Sequence, residues 1–268
     1  MKAKLVVVRG AGDLATGILY TLYQFGYAVV ATELEQPSTI RRTVSFSEAV
    51  YDGKFTVENV TAERCEKYAD LSRILDAGRI PVLIDPAGKC IRDLKPDVVV
   101  DAILAKRNTG TTMDMAKTVI GAGPGFTAGE DVHAVVETKR GHNLGRVILN
   151  GQAEPDTGVP GVIGGYSKER VIYSPKAGMI KNIKKIGDSV RAGEAIAAVD
   201  REEIVTGIGG TLRGLIRDGF TVTQGFKIAD VDPRDAAGHC FTISDKARLI
   251  GFGTLLAVHM LDARNKER

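Results

Sequence analysis

The pattern of apolar and polar positions predicts an α/β protein. Between the first two apolar runs, apolar residues at helical spacing predict a helix from Leu14 to Phe25, and Thr61 and Gly78 bracket a second predicted helix over Ala62 to Asp76. The apolar runs do not alternate with polar residues, which is typical of a parallel sheet covered on both faces. The strands predicted from these runs are Leu5 to Val8, Ala28 to Leu34, Ile80 to Ile84, Val98 to Val100 and Thr118 to Ile120.

The first predicted strand leads into RGAGDLATG, a GxGxxA turn at the start of the first helix. Small residues let such a turn approach a bound anion, and the N–H groups of the first helical turn point at it. Glu33 follows about twenty residues later, where dinucleotide-binding folds carry a ribose-binding carboxylate; Glu35 is the alternative. A turn that only packs the helix on the sheet is the other interpretation. The predicted cofactor-binding residues here are Gly10, Gly12, Asp13, Leu14, Ala15 and Glu33.

Two further polar loops follow predicted strands, and the carboxyl ends of parallel strands meet at one edge of a sheet. The stretch AILAKRNTGTTMD follows Asp101, and GAGPGFTAGED, which could turn backbone amides toward an anion, follows Ile120. Surface charges and a sharp connector are the alternatives. A guanidinium at Arg41 could reach a phosphate group or be a solvated charge. The predicted ligand-binding residues outside the glycine turn are therefore Arg41, Lys106, Arg107, Asn108, Gly123 and Gly125.

Composition removes several classes of function. The chain of 268 residues has 44% hydrophobic residues and 26% charged residues, and its net charge of +3 is no signature of nucleic-acid binding. No apolar run approaches the length of a membrane span, so none is expected. Three cysteines without paired spacing predict no disulfide framework and a cytoplasmic location. His133 and His142 are not spaced like ligands of one metal, so no metal site is predicted.

The C-terminal half repeats with a period of 32 residues, since Gly178, Gly187 and Gly193 are matched by glycines at 210, 219 and 225. The repeat resembles the biotinyl/lipoyl-type barrel-sandwich hybrid, a small domain of two intertwined β-halves. Carrier members of that group have a lysine on the hairpin between the halves, and Glu203 stands at the matching position here. The resemblance therefore implies a docking or structural module that carries no lipoate or biotin.

The predicted fold is a Rossmann-like, mainly parallel sheet, followed by this small all-β domain and a C-terminal helix. The expected boundaries are residues 1–165 for a nucleotide- or anion-binding domain, 166–234 for the β domain and 235–268 for the helical segment. In that last segment Ser244 is the predicted N-cap of a helix running from about Asp245 to Ala263. His239 and Cys240 suggest either sulfur transfer or a buried structural thiol.

Beyond these motifs, the chain resembles the YqeB-like accessory proteins of selenium-dependent molybdenum hydroxylase systems. The resemblance is carried by RGAGDLATG, DAILAKRNTGTTMD, GPGFTAGEDVHAVVETKRGHNLGRVI, GTLRGLIRDGF and KIADVDPR. It implies a cytoplasmic accessory protein that assists maturation of a molybdenum hydroxylase, with that enzyme or its maturation machinery as partner. It implies no established catalytic residues.

The residues and the resemblance together predict a small phosphate-bearing ligand, either a nucleotide such as NAD(P) or a molybdopterin-type cofactor. The alternative function is a free-standing NAD(P)-dependent oxidoreductase acting on a small molecule. Whether the protein catalyses a reaction, and whether it forms a homo-oligomer, stays open at this point.

Overall fold

The apolar run before the glycine turn forms a central strand of the main sheet. The computed structural model describes residues 3–266 and divides into two units. Unit 1 contains residues 3–37, 45–156 and 243–266, and unit 2 contains residues 38–44 and 157–242. The chain therefore enters unit 2 twice and returns to unit 1 for its last helix, whereas the sequence boundaries were placed at residues 165 and 234.

Unit 1 combines strands with short and long helices. Its helices are α1 (Asp13–Gln24), α2 (Ala49–Asp52), α3 (Leu71–Asp76), α4 (Cys90–Leu94) and α5 (Asp245–Lys266). Its strands are β1 (Leu5–Arg9), β2 (Ala28–Glu33), β3 (Lys54–Val57), β4 (Val60–Cys65), β5 (Ile80–Ile84), β6 (Val98–Asp101), β7 (Thr118–Ala122), β8 (Thr127–Ala128), β9 (Ala134–Val136), β10 (Val147–Ile148) and β11 (Gly151–Gln152).

Nine of these strands form a mixed sheet in the order β10-β9-β7-β6-β1-β2-β5-β4-β3. The seven inner strands are parallel to their neighbours, while β3 and β10 at the two edges run antiparallel. Strands β8 and β11 pair separately. Since β1 lies between β2 and β6, the glycine turn leaves the middle of the sheet.

Unit 2 consists of two four-stranded antiparallel sheets around one apolar core. The first has the order β12-β19-β17-β14 and the second β16-β15-β13-β18. The strands are β12 (Val171–Tyr173), β13 (Gly178–Asn182), β14 (Ser189–Val190), β15 (Ala195–Val199), β16 (Glu202–Val205), β17 (Gly210–Leu215), β18 (Thr221–Val222) and β19 (Lys227–Asp232).

The 32-residue repeat reappears in the strand pairing of unit 2. The first half supplies β13, β14 and β15, and the second half supplies β17, β18 and β19 at matching positions. The middle strand of each half pairs with the other half, β14 with β17 and β18 with β13. Both halves are therefore needed to complete either sheet.

The predicted fold class is corrected in two respects. The sheet of unit 1 is mixed rather than a Rossmann-like parallel sheet, and unit 2 is described by two antiparallel sheets rather than as a barrel-sandwich hybrid. An apolar run does not record the direction of the strand it forms, so the antiparallel edges were missed. The helix predicted over 62–76 is wrong for its first part, because Val60–Cys65 is a strand that pairs with β3 and β5.

Helices α1 and α5 pack at backbone contact distance because glycines line their interface. A Cβ atom added at Gly17 would lie 2.3 Å from the carbonyl oxygen of Ala247, and one at Gly251 would lie 2.4 Å from that of Gly17. The Cβ at Gly251 would also lie 2.3 Å from the hydroxyl of Thr21. Because Gly17 faces Ala247 and Thr21, one turn later, faces Gly251, the two helices run in the same direction. Their N-termini therefore lie at the same end, where β1 delivers the chain into α1.

The side chain of His133 supports the start of β7. Its Nδ1 atom accepts a hydrogen bond from the backbone N–H of Val119 at 3.0 Å, which requires a neutral ring with an unprotonated Nδ1. Burial lowers the pKa of His133 below its ordinary value, because it disfavours the charged form. Its neutral form is thus the one that the folded state holds.

This arrangement makes stability depend on pH in a defined direction. The unfolded chain binds a proton at His133 more tightly than the folded chain does. The stabilisation of the folded state by neutral His133 is therefore complete above the ordinary histidine pKa, and it is lost as the pH falls toward and through the lower pKa of the folded state. We expect urea unfolding of the wild-type protein, measured from about pH 8 to about pH 5, to lose more free energy than the His133→Gln variant. His142→Gln, at an exposed histidine, is the control; equal pH dependence of wild type and His133→Gln would contradict the expectation.

No helix among the described residues is long and apolar enough to cross a membrane.

Candidate functional site

The glycine turn between β1 and α1 is held tightly against the sheet. Gly10 has a φ of +102°, and a Cβ there would lie 2.8 Å from the carbonyl oxygen of Ala102, so only glycine fits. Its N–H donates to the carbonyl oxygen of Thr32 at 2.8 Å. Gly12 is the N-cap of α1 and supplies no side-chain acceptor. The first amides of the helix therefore have no cap side chain to accept their hydrogen bonds.

The other predicted residues of this turn differ in exposure. Asp13, the first residue of α1, and Leu14 are half-buried, whereas Ala15 is buried in the helix–sheet interface. Ala15 thus serves packing, as the alternative interpretation of the turn expects. Asp13 is the residue of this group that can influence a charge at the helix N-terminus.

Glu33, at the end of β2, is bonded to the glycine turn. One carboxylate oxygen accepts the N–H of Ala11 at 2.8 Å, and the other accepts the N–H of Leu34 at 2.8 Å. Burial raises the pKa of Glu33, and the two backbone N–H groups partly offset this increase. Both carboxylate oxygens therefore help to fix the turn in the structure described here.

A buried ion pair between Arg9 and Asp101 fixes the loop after β6, and the sequence did not point to Arg9. The side chains of Arg9 and Asp101 are buried, with residue exposures of 2% and 1%. Nη1 of Arg9 lies 3.1 Å from Oδ2 of Asp101, and the hydroxyl of Thr111 donates to the same oxygen at 2.5 Å. Arg9 also donates to Thr111. Asp101 also accepts the N–H of Ile103 at 3.1 Å. Arg9 gave no signal because it directly precedes the glycines and resembles a strand end.

The loop between Asp101 and Thr111 carries two residues with left-handed backbone. Leu104 and Lys106 have φ values of +60° and +61°, which cost conformational energy in residues other than glycine. The amino group of Lys106 pairs with Asp156 at 2.7 Å. Strained backbone of this kind persists only where surrounding contacts impose it, and it is concentrated at ligand-binding and switching sites.

Asn108 is committed to the shape of this loop. Its side-chain oxygen accepts the N–H groups of Gly110 and Thr111, at 2.9 and 2.8 Å, and its amide donates to the carbonyl oxygen of Thr111 at 2.8 Å. Arg107 beside it is exposed, so its guanidinium is open to solvent. Of the two, Arg107 is the one whose side chain is available to a ligand.

The glycine loop after β7 touches the loop after β6. A Cβ at Gly125 would lie 2.5 Å from the Cα of Arg107, so this glycine lets the two backbones meet. A Cβ at Gly123 would lie 2.5 Å from the hydroxyl of Thr138, and the Gly123 N–H donates to the carbonyl oxygen of Val136 at 2.8 Å. The three loops thus lie together at one edge, while the Gly123 amide is occupied within the sheet.

Lys246 is a cation at this edge that sequence analysis did not identify. It lies in the first turn of α5, where the hydroxyl of Ser244 accepts the N–H of Ala247 at 3.1 Å, as predicted for an N-cap. Burial lowers the pKa of Lys246, Asp13 acts against this decrease, and Arg140 adds to it. Within residues 3–266 its amino group makes no hydrogen bond or ion pair. Only the packing of α5 beside α1 brings it here, so no sequence pattern could have found it.

Arg41 belongs to unit 2, whereas the other predicted site residues belong to unit 1. It is buried, and its Nη2 donates to the carbonyl oxygen of His239 at 3.2 Å. Cys240 is fully buried, and burial raises the pKa of its thiol, although Arg41 and Arg213 oppose that increase. A thiol held in its protonated form is a poor nucleophile, which favours the interpretation of Cys240 as a structural residue. Glu203 is exposed on β16.

No metal-binding arrangement is present among residues 3–266, in which no group of three or more histidine, cysteine or acidic side chains converges. Unit 1 has a polar cleft of about 360 Å³ beside β10 and β11. Its buried carboxylate, Glu137, accepts the N–H groups of Lys139 and Glu154, each at 2.7 Å. The cleft is lined by Glu137, Asn143, Arg146, Val147, Ile148, Leu149, Asn150, Gln152 and Glu154.

Comparison with known proteins identifies a relative of high similarity. The chain is 50% identical over 258 residues to the uncharacterized protein YqeB of Escherichia coli K12, a match that covers 96% of this chain and 48% of that protein. The chain is YqeB-like. It spans about half the length of this curated relative. No family model matches the chain.

Solved structures share only distant similarity with the chain. The ectoine utilization protein EutE (DoeB) of Ruegeria pomeroyi is 10% identical with a TM-score of 0.25, over 85% of each chain. A succinylglutamate desuccinylase of a Silicibacter species is 14% identical with a TM-score of 0.26, over 85% of this chain and 84% of that one. An aspartoacylase family protein of Mesorhizobium loti is 10% identical with a TM-score of 0.28, over 86% of this chain and 85% of that one. Similarity at this level assigns no reaction to this chain.

The predicted function finds no support in these comparisons. The structures found are a desuccinylase, an aspartoacylase family protein and an ectoine utilization protein, with no nucleotide-binding accessory protein among those named above. The predicted role as a nucleotide-binding accessory protein is therefore withdrawn, together with the alternative of an NAD(P)-dependent oxidoreductase. The terms Rossmann-like, nucleotide-binding and lipoyl-like are withdrawn with them. The general resemblance to YqeB, in contrast, is confirmed by sequence identity.

Proposed function

We propose that unit 1 binds a small phosphate-bearing molecule at the carboxyl edge of its sheet, beside the N-terminus of α1. The observation that carries this proposal is Lys246, a half-buried lysine without a hydrogen-bond or ion-pair partner among the described residues, next to a helix whose N-cap is Gly12. Both features favour negative charge. Amides at a helix N-terminus attract anions, and an ammonium group removed from water is stabilised by an opposite charge.

Three further features support this location. Arg107 presents an exposed guanidinium on the neighbouring loop, which suits phosphate oxygens. Leu104 and Lys106 hold that loop in left-handed backbone. The buried pair of Arg9 and Asp101 anchors the same loop to the sheet, so a ligand would meet a rigid wall.

A ligand screen on the intact protein tests the proposal. Thermal shift and calorimetry would use inorganic phosphate as the simplest probe, with NADP and a molybdopterin-type compound as larger probes, because these cofactors stay predictions. A ligand that binds only the folded state raises the unfolding temperature in a concentration-dependent way. If no phosphate-bearing probe shifts the transition, the proposal fails.

Lys246→Met is expected to weaken binding of the phosphate-bearing probe by about tenfold or more, because a hydrogen bond to a charged group contributes about 1.5–3 kcal/mol. Lys246→Arg should retain most of the affinity. The matched control is Lys117→Met, since Lys117 is exposed at the start of β7, at the opposite edge of the same sheet. Affinity measured by calorimetry should be unchanged in that control; equal losses at both lysines would indicate unspecific charge attraction.

We also propose, from the YqeB resemblance, association with a molybdenum hydroxylase or its maturation machinery. The identity to YqeB supports the resemblance but does not test the partner. Purified protein immobilised and exposed to a purified selenium-dependent molybdenum hydroxylase would decide this point, with surface plasmon resonance as the measurement. Absence of binding at micromolar concentrations would end this part of the proposal.

A further inference from the structure

The polar cleft beside β10 and β11 is formed by a segment that contributes no residue to the phosphate site proposed above. The cleft lies in unit 1, has a volume of about 360 Å³ and is lined by residues between positions 137 and 154. Pockets of about 300–1,000 Å³ are the ones in which proteins bind small molecules. The cleft is at the lower end of that range, so it has room for one small metabolite.

The walls of this cleft are fixed by the surrounding structure. The turn that carries Asn143 and Arg146 packs on α5, because a Cβ at Gly145 would lie 2.7 Å from the carbonyl oxygen of Leu249. Within the turn, the N–H of Arg146 donates to the carbonyl oxygen of Asn143 at 2.9 Å. Glu137, 2% exposed, holds the other wall through its two hydrogen bonds from backbone N–H groups. A ligand would therefore meet polar groups that need little ordering on binding.

The cleft carries charges of both signs that do not neutralise each other. Arg146 is exposed and forms no ion pair within residues 3–266, and its Nη1 donates a long hydrogen bond to Oδ1 of Asn143, at 3.5 Å. The amide of Asn143 donates in turn to Oε1 of Glu154 at 3.4 Å. Glu154 pairs with Lys139 at 2.6 Å, with both side chains 45% exposed. Asn143 thus lies between a guanidinium and a carboxylate.

We propose that this cleft binds a free α-amino acid with a polar side chain, whose carboxylate contacts Arg146 and whose ammonium group contacts Glu154. A guanidinium binds a carboxylate through two parallel hydrogen bonds. A ligand with a single charge would be repelled by one of the two groups, whereas a zwitterion is attracted by both. Exposed ion pairs contribute little free energy, so Glu154 can exchange Lys139 for the ammonium group of the ligand at small cost.

The remaining lining residues favour the polar side chain. Asn150 and Gln152 are exposed at the cleft and, together with Asn143, supply amide groups that both donate and accept hydrogen bonds. Val147 and Leu149 are half-buried and can contact the carbon atoms of the ligand. The proposal does not depend on the phosphate site, because the two sites share no residue.

Calorimetry on the full chain tests the proposal with L-glutamine, L-asparagine and L-serine as probes. We expect at least one of them to bind more tightly than L-leucine, which has both charges but an apolar side chain. For that probe, the N-acetyl derivative lacks the ammonium group and the α-carboxamide lacks the carboxylate, so each should bind about tenfold or more weakly. If none of the three probes binds at millimolar concentrations, or if the derivatives bind as tightly as the parent, the proposal is overturned.

Variants assign the two charges of the ligand to their partners. Arg146→Met should weaken binding of the amino acid about tenfold or more, whereas Arg92→Met, at an exposed arginine of α4, is the matched control and should bind as the wild type does. Glu154→Gln should also weaken binding. Lys139→Met should strengthen it, because it removes the competitor for Glu154, and a merely structural role of Lys139 predicts no such gain.

Phosphate separates this cleft from the phosphate site. Inorganic phosphate titrated onto Arg146→Met should bind with the affinity of the wild type, although amino-acid binding is lost. Equal losses of amino-acid affinity in Arg146→Met and Arg92→Met would overturn the proposal, as would a parallel loss of phosphate and amino-acid binding in Arg146→Met. Circular dichroism confirms that the variants compared are folded.

Discussion

Replacement of Asp101 by asparagine is expected to lower the free energy of unfolding by about 3–5 kcal/mol. The substitution keeps the shape of the side chain but removes its charge, which leaves the guanidinium of Arg9 buried without a counter-ion. Arg9 and Asp101 are almost fully inaccessible, so water cannot replace the lost partner. The same oxygen also accepts from Thr111, so the loop after β6 should loosen as well.

Urea unfolding followed by circular dichroism measures this loss. Asp93→Asn is the control, because Asp93 forms an exposed ion pair with Arg92 at 3.8 Å, a contact expected to contribute at most about 1 kcal/mol. In the double variant Arg9→Met and Asp101→Leu, neither charge remains, and most of the stability should return. A loss below that of the control would show that the pair is hydrated in solution.

Replacement of Gly17 by alanine is expected to destabilise the protein by about 1–3 kcal/mol. In an ordinary helix interior the same change stabilises, by roughly 1 kcal/mol, because glycine loses more backbone entropy on folding. Here the added Cβ would lie 2.3 Å from the carbonyl oxygen of Ala247, so α5 must move away from α1. The sign of the effect therefore reports on this helix contact.

The control for this prediction is Gly238→Ala. Gly238 has no atom within 4 Å of the position of an added Cβ, and its φ is not left-handed. We expect unchanged or slightly increased stability there, measured as the free energy of unfolding in urea. Stabilisation of Gly17→Ala would mean that the two helices are further apart in solution than in the structure.

The sequence was informative where a local pattern determines the structure. The apolar run before Gly10 forms β1, Ser244 caps α5, and the three polar loops lie together because parallel strands end at the same edge. Strand direction at the sheet edges was not readable, because an apolar run does not record the direction of its strand. The inner run Val60–Cys65 fits both a helix and a strand, and only its neighbours decide between them. The antiparallel edges were therefore missing from the predicted fold class.

Residues that act across long sequence distances could not be predicted. Lys246 is more than two hundred residues from Gly12 and reaches the candidate site through the packing of α5 on α1. Arg9 acquires its role from Asp101, on a neighbouring strand. Arg41 follows the predicted ribose carboxylates closely in sequence, yet residues 38–44 belong to unit 2. Spacing along the chain carries no information about such placements.

The return of α5 to unit 1 has a consequence for synthesis on the ribosome. Unit 2 is almost complete once residue 242 has emerged, whereas α1 lacks its glycine-lined partner until residues 243–266 are made. Domains usually fold in order of their translation. In this protein the unit that is translated first is completed last, so a nascent chain stalled before residue 243 would expose α1 to chaperones and proteases.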